Sequence, residues 1–94
     1  MYNNERQKMV IKEMKQFEET AKGKLLEWYR KQNPKIKITQ NDVYVVWACK
    51  THKNFKCLIA ARVSDGIYAE YTYIGDKQEL YEDIYTKINN AKYV

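Results

Sequence analysis

The chain has 94 residues, with 17 Lys or Arg against 12 Asp or Glu, and nine Tyr. A chain of this length makes a single domain, 1–94, and buries only about 60–65% of its unfolded surface. That excludes a large enclosed active site beside the core. Two Cys, a polar start M-Y-N-N-E-R and no apolar run of 18 residues point to reduced thiols in a cytoplasmic protein with no membrane span.

Charge is spread unevenly. Residues 1–40 hold ten Lys/Arg and five Asp/Glu, whereas 67–94 hold three and five. The densest basic run contains Lys22, Lys24, Arg30, Lys31, Lys35 and Lys37 against Glu27 alone. A pole of that sign attracts an anionic partner, or is simply a solvated helix end.

In chain order, Met1 to Glu5 read as loose and residues 4–31 as one long helix. Val10, Met14, Phe17, Ala21, Leu25 and Trp28 recur at spacings of three and four, on one helical stripe. Such a helix is roughly 40 Å long. An eight-residue strand spans about 27 Å. The helix therefore overhangs any sheet this chain builds, unless Gly23 bends it. Asn33-Pro34 stops it. Ile36 and Ile38 alternate with Lys35 and Lys37, as in a short edge strand.

Three strands follow, near 43–51, 55–63 and 67–74. Ser64-Asp65-Gly66 forms the second turn, with Gly66 supplying a left-handed residue, and places Val63 opposite Ile67 and Cys57 opposite Tyr73. For the first turn, a three-residue loop at His52-Lys53-Asn54 is preferred to a two-residue one at Lys53-Asn54. It sets Cys49 opposite Cys57 and Trp47 opposite Ile59, so both thiols become small core residues. In the last segment Asp76 and Glu79 have the spacing of a capping box, and Leu80, Tyr81, Ile84, Tyr85 and Ile88 the stripe of a helix ending near Asn89-Asn90. The expected fold is α+β in two layers: helix, three-stranded antiparallel meander, helix (αβββα), both helices on one sheet face.

That leaves a second face. Its centre is Val46, Ala48, Leu58 and Ala60, and its rim is Lys50, Lys56, Arg62, Tyr44 and Tyr68. An apolar centre with a polar and aromatic rim suits a protein interface or self-association. The overhanging helix can also fold back over it. A nucleic-acid platform is the other reading, with Tyr44 and Tyr68 stacking on bases and cations holding phosphates. Small residues on a half-wet face also need no partner at all.

Catalytic patterns are poor. One His and one Ser draw no triad. Cys49, Cys57 and His52 match no zinc spacing. Gly23, Gly66 and Gly75 make no phosphate loop. Glu79, Glu82 and Asp83 fit a favourable helix start better than a metal site. No cofactor, metal or small-molecule substrate is expected, and the chain reads as a non-enzyme.

The stretch V-Y-V-V-W-A-C-K-T…N-F-K-C-L, followed by D-G-I-Y-A-E-Y-T-Y-I-G-D-K-Q-E-L-Y, resembles a family of small proteins encoded by phages and prophages of Gram-positive bacteria. The resemblance spans roughly residues 42–88. It implies a mobile-element origin and a host-cytoplasm setting, and carries no functional residues with it. The order helix–strand–strand–strand–helix is also that of the double-stranded-RNA-binding domain. There the likeness is topological, and acids at Asp76 and Glu79 stand where phosphates approach in that fold. The expectation is a phage-type accessory protein that binds a macromolecule, chiefly a protein or a second copy of itself. The alternative is nucleic-acid binding through Lys22, Lys24, Arg30, Lys31, Lys50, Lys56 and Arg62.

Overall fold

In the computed structural model, which describes residues 8–94, Phe17, Ala21, Leu25, Leu26 and Tyr29 form the buried side of helix α1, Met14–Gln32. Asn33 closes it, its N–H bonding the Tyr29 carbonyl at 2.9 Å. Pro34 has no N–H to continue the ladder. A 3₁₀ turn, Gln40–Asp42, leads into four strands: β1 Val43–Thr51, β2 Asn54–Ala61, β3 Ile67–Ile74 and β4 Glu79–Thr86. They form one antiparallel sheet in the order β1-β2-β3-β4. The fold is α+β, with α1 packed on one face of the sheet against β1 and β2. Phe17, Leu25, Phe55, Cys57, Ile59 and Tyr71 lie at the centre of the core.

The expected second helix is a strand. Residues 75–78 form a hairpin turn, with Lys77 N–H on Ile74 O and Gln78 N–H on Gly75 O, both at 3.2 Å. Gln78 then takes φ 53°, a left-handed conformation that reverses the chain instead of propagating a helix. Beyond it the apolar stripe resolves as alternation. Leu80, Glu82 and Ile84 lie opposite Tyr73, Tyr71 and Ala69 on the covered face, while Tyr81, Asp83 and Tyr85 lie on the other. The double-stranded-RNA-binding order goes with the helix it required.

The first helix also starts later than residue 4. Residues 8–13 are not helical, and Met1 to Glu5 fall outside the described residues. Gln16 organises the start of the helix: its Oε1 accepts from Lys12 N–H at 3.0 Å and its Nε2 donates to the Val10 carbonyl at 2.9 Å. Tyr73 anchors what precedes it, donating to the Met9 carbonyl at 2.6 Å and accepting from Ile11 N–H at 3.1 Å. At 19 residues the helix is about 28 Å long, matched to the strands, and no helical turn among the described residues overhangs the sheet. Ile11 is buried and Met9 packs beside it on the helix side of the sheet, so this segment does not fold back over the second face. Residues 35–39 form no strand. Ile38 is buried, and its carbonyl accepts from Arg30 Nη2 at 2.9 Å.

Two registers differ from expectation. The first turn has two residues, His52 and Lys53, with Thr51 opposite Asn54. A β-bulge between Val45 and Trp47 then restores the odd pairing, so Val45 faces Ile59 and Val43 faces Ala61. Between bulge and turn every side chain of β1 is switched to the other face. Ala48 lies opposite Cys57 on the covered side, and Trp47 and Cys49 lie opposite Leu58 and Lys56 on the open side. Cys49 is therefore exposed, not a core residue, and does not face Cys57. The second turn is longer than expected, pairing Cys57 with Tyr71 and Phe55 with Tyr73. Asp65 shapes it, its Oδ1 accepting from Ile67 N–H at 3.0 Å and from the Tyr29 hydroxyl at 3.2 Å. Gly66 has the expected positive φ, 73°.

Candidate functional site: the open sheet face

Because α1 covers one face, the side chains of the other project away from the core. Cross-strand pairing orders them in rows. One row is Tyr44, Ala60, Tyr68 and Tyr85. The next is Trp47, Leu58, Glu70 and Asp83. The third is Cys49, Lys56, Thr72 and Tyr81.

The large apolar groups here are left in solvent. Tyr44, Val46, Trp47, Tyr81 and Tyr85 are each between 41% and 50% exposed. Tyr68 and Tyr85 stack with centroids 5.3 Å apart. Leu58 and Ala60 are half-buried between the aromatic flanks. Near the β2–β3 turn, Tyr44, Val46, Leu58, Ala60 and Tyr68 line an open hollow of about 600 Å³. These five were expected on this face from alternation. Ala48, expected with them, is on the covered side because of the bulge.

Charge on the face is divided. On β1, β2 and the residue just after β2, the open side carries Lys56 and Arg62. The Arg62 guanidinium lies 5.4 Å from the Tyr44 ring centroid, a cation–π contact that holds both groups on the rim. On β3 and β4 it carries Glu70, Glu79 and Asp83, and Lys87, just after β4, lines the hollow beside Tyr44 and Tyr68. Glu70 and Asp83 are direct cross-strand neighbours, an unfavourable pairing of like charge. Lys56 Nζ approaches Glu70 Oε1 at 3.7 Å, and Tyr81 donates its hydroxyl to Glu79. Partial desolvation, followed by the charges of Asp83 and Glu70, raises the Tyr85 phenol above its ordinary pKa.

The seven cations expected for nucleic-acid binding do not make one surface. Lys22, Lys24, Arg30 and Lys31 are on α1, across the sheet from Lys56 and Arg62. Lys24 pairs with Glu27 at 3.7 Å, and Arg30 ties α1 to Ile38. Lys50 is opposite Phe55 on the covered side, its ammonium 5.6 Å from that ring.

Sequence reasoning missed Trp47, Cys49, Tyr81 and Tyr85 on this face. The signal for the tyrosines was present. Residues 80–85 recur every four and do not alternate, but Tyr81, Ile84, Tyr85 and Thr86 are residue types that favour strands. Trp47 depended on a bulge that no turn residue marks. Among the described residues, no three His, Cys, Asp or Glu side chains gather as a metal-holding group. No helix among them is long and apolar enough to cross a membrane.

Residues 18–94 match the model of a family of unknown function, DUF6275. That span takes in the whole sheet and most of α1. No curated protein and no solved structure matches the chain.

Proposed function

The chain belongs to the DUF6275 family, and from that premise we propose that it is a non-catalytic accessory protein that binds another protein through the open sheet face. The observation that carries this reading is the exposure of Tyr44, Val46, Trp47, Tyr81 and Tyr85 together on that face. Aromatic side chains give large contact area at little entropic cost, and they are enriched where proteins meet. The half-buried Leu58 and Ala60 supply the flat apolar floor between them. The resemblance of D-V-Y-V-V-W, C-K-T, N-F-K and G-D-K-x-E-x-Y to phage-encoded proteins supports a mobile-element origin and action in the host cytoplasm.

A second reading, single-stranded nucleic acid stacked on Tyr44 and Trp47, draws on the cation–π pair of Arg62 and Tyr44. Glu70, Glu79 and Asp83 on the same face repel a phosphate backbone, so the protein reading is preferred.

Site-specific photo-crosslinking in cells tests it. A crosslinking residue replacing Tyr81 is expected to capture protein, and Leu58→Glu in the same chain is expected to suppress the adduct. The same residue replacing Glu19, on the exposed side of α1, is the control. Equal adducts from both positions, or none from either, contradict the reading. Adducts with nucleic acid at Tyr81 would favour the second one.

A further inference from the structure

At one end of the sheet three stretches of chain converge: the entry segment 8–13, the β1–β2 turn and the β3–β4 turn. Between them lies a hollow of about 330 Å³, at the lower end of the range for small-ligand sites. Ile11, Phe55 and Tyr73, all buried, make its floor. Lys12, Lys50, His52 and Lys53 line it too, and no Asp or Glu does. We propose that this hollow is a second binding site, for a small phosphomonoester whose phosphate sits among these four basic residues. It lies apart from the open sheet face and does not depend on the protein-binding reading.

The walls of the hollow are set by the chain itself. Tyr73 holds the Met9 carbonyl and the Ile11 N–H, and Gln16 holds the Val10 carbonyl and the Lys12 N–H, so the backbone at Lys12 is fixed on both sides. Asn54 Oδ1 accepts from Gly75 N–H at 2.9 Å, and Gly75 has no Cβ to hold Lys53 away, so the two turns close against each other. The Lys50 ammonium lies 5.6 Å from the Phe55 ring centroid, a cation–π contact that keeps its charge over the floor. His52 takes φ 56° in its two-residue turn, a left-handed position that favours glycine. An imidazole therefore stands on the rim where a bare backbone would have suited the turn. A site whose walls are already in place loses little entropy when it fills.

The charges choose the ligand. Among the described residues Lys12, Lys50 and His52 make no ion pair. Lys53 reaches Asp76 at 3.3 Å, but that carboxylate does not line the hollow, and both side chains of the pair are largely in solvent. Cations gathered round one hollow with no acid inside it repel one another until an anion enters. A phosphomonoester carries nearly two negative charges near neutral pH and three acceptor oxygens, so it can face several of these donors together. A carboxylate or a phosphodiester brings a single charge. The size of the hollow suits a phosphate with a small body, and the buried floor offers that body an apolar surface.

Amide NMR titration of the full chain tests this, slightly above neutral pH and at constant ionic strength held with sodium chloride. The probes are methyl phosphate, dimethyl phosphate and acetate. Methyl phosphate is expected to give saturable shifts centred on Lys12, Lys53 and Gly75. Dimethyl phosphate and acetate are expected to bind about fivefold more weakly or worse. Lys12→Gln with Lys50→Gln is expected to weaken methyl phosphate about tenfold, whereas Lys12→Arg with Lys50→Arg retains it. Lys22→Gln with Lys31→Gln removes the same charge from α1 and is expected to leave binding unchanged. The dispersion of each spectrum shows that the variant is folded. Methyl phosphate shifts that do not saturate, or that centre elsewhere, overturn the proposal. Equal affinity for the monoester and the diester overturns it too, as does an equal loss in the two glutamine variants.

Discussion

Tyr73 joins two parts of the chain that sequence reading treated as separate. Its ring is in the core, while its hydroxyl holds the Met9 carbonyl and the Ile11 N–H. Tyr73→Phe leaves both backbone groups without that partner, and is expected to cost about 1–3 kcal/mol. Urea unfolding measures the loss, and faster amide exchange at Ile11 locates it. The cysteines separate by the same logic of position. Cys57 is fully buried, and burial, followed by the charge of Glu18, pushes its thiol up to about 12. Burial also raises the phenols of Tyr29 and Tyr71, which donate to Asp65 and Glu82. The folded state thus holds these protons more tightly than the unfolded one. Their contribution is complete below the ordinary values of 9.0 and 10.0, and falls as pH rises through that range towards the raised values. The melting temperature is accordingly expected to drop steadily above pH 9 as these three groups lose their advantage. At neutral pH a thiol reagent is expected to label Cys49 alone, and both cysteines in urea. Rapid native labelling of Cys57 would contradict its placement. Cys57 was legible as a core residue from its apolar alternation with Ile59 and Phe55. Cys49 was misread because its facing is decided by Val46, which gives no local sign of a bulge.

Among the elements, α1 was legible over the turns that carry Phe17, Ala21 and Leu25, since three- and four-residue spacing places them on one side. Its beginning was not. Val10 and Met14 continue the same spacing, yet Gln16 bonds back to Val10 and Lys12 and fixes a non-helical entry. The first three strands were legible from alternation and from Gly66. β4 was not, because a capping-box spacing at Asp76 and Glu79 also suits a tight hairpin turn, and Gln78 is not a residue that advertises a left-handed conformation. The turn before β4 has a steric partner besides. A Cβ on Gly75 would fall on the Cβ and carbonyl oxygen of Lys53, where the two hairpin turns at this end of the sheet meet. Asn54 Oδ1 accepts from Gly75 N–H at 2.9 Å, and Lys53 reaches Asp76 at 3.3 Å. Gly75→Ala is expected to destabilise by about 1–3 kcal/mol, because backbone must move to admit the methyl group. Gly23→Ala, with nothing near its Cβ and a helical setting, is expected to stabilise by about 1 kcal/mol. Denaturant midpoints of the two variants should move in opposite directions, and a shared direction would contradict the packing described.

At the scale of the whole molecule, helix α1 on a four-stranded sheet leaves a face that the described residues do not cover. The presence of that face was legible from the even positions of β2 and β3, where Leu58, Ala60 and Tyr68 alternate with buried neighbours. Its extent was not, because a fourth strand adds Tyr81, Asp83 and Tyr85 and with them most of the acidic half. The basic residues of α1 lie on the far side, so a polyanion would have to choose between two separate sets of cations. Oligonucleotide anisotropy is therefore expected to register weak binding at most, lost on raising salt to physiological strength. The decisive experiment is photo-crosslinking in cells from position 81, in the otherwise unchanged chain and with Leu58→Glu. A protein adduct from position 81 that Leu58→Glu suppresses is expected, with position 19 silent. Equal adducts from positions 81 and 19, or none from either, would contradict protein binding at the open face.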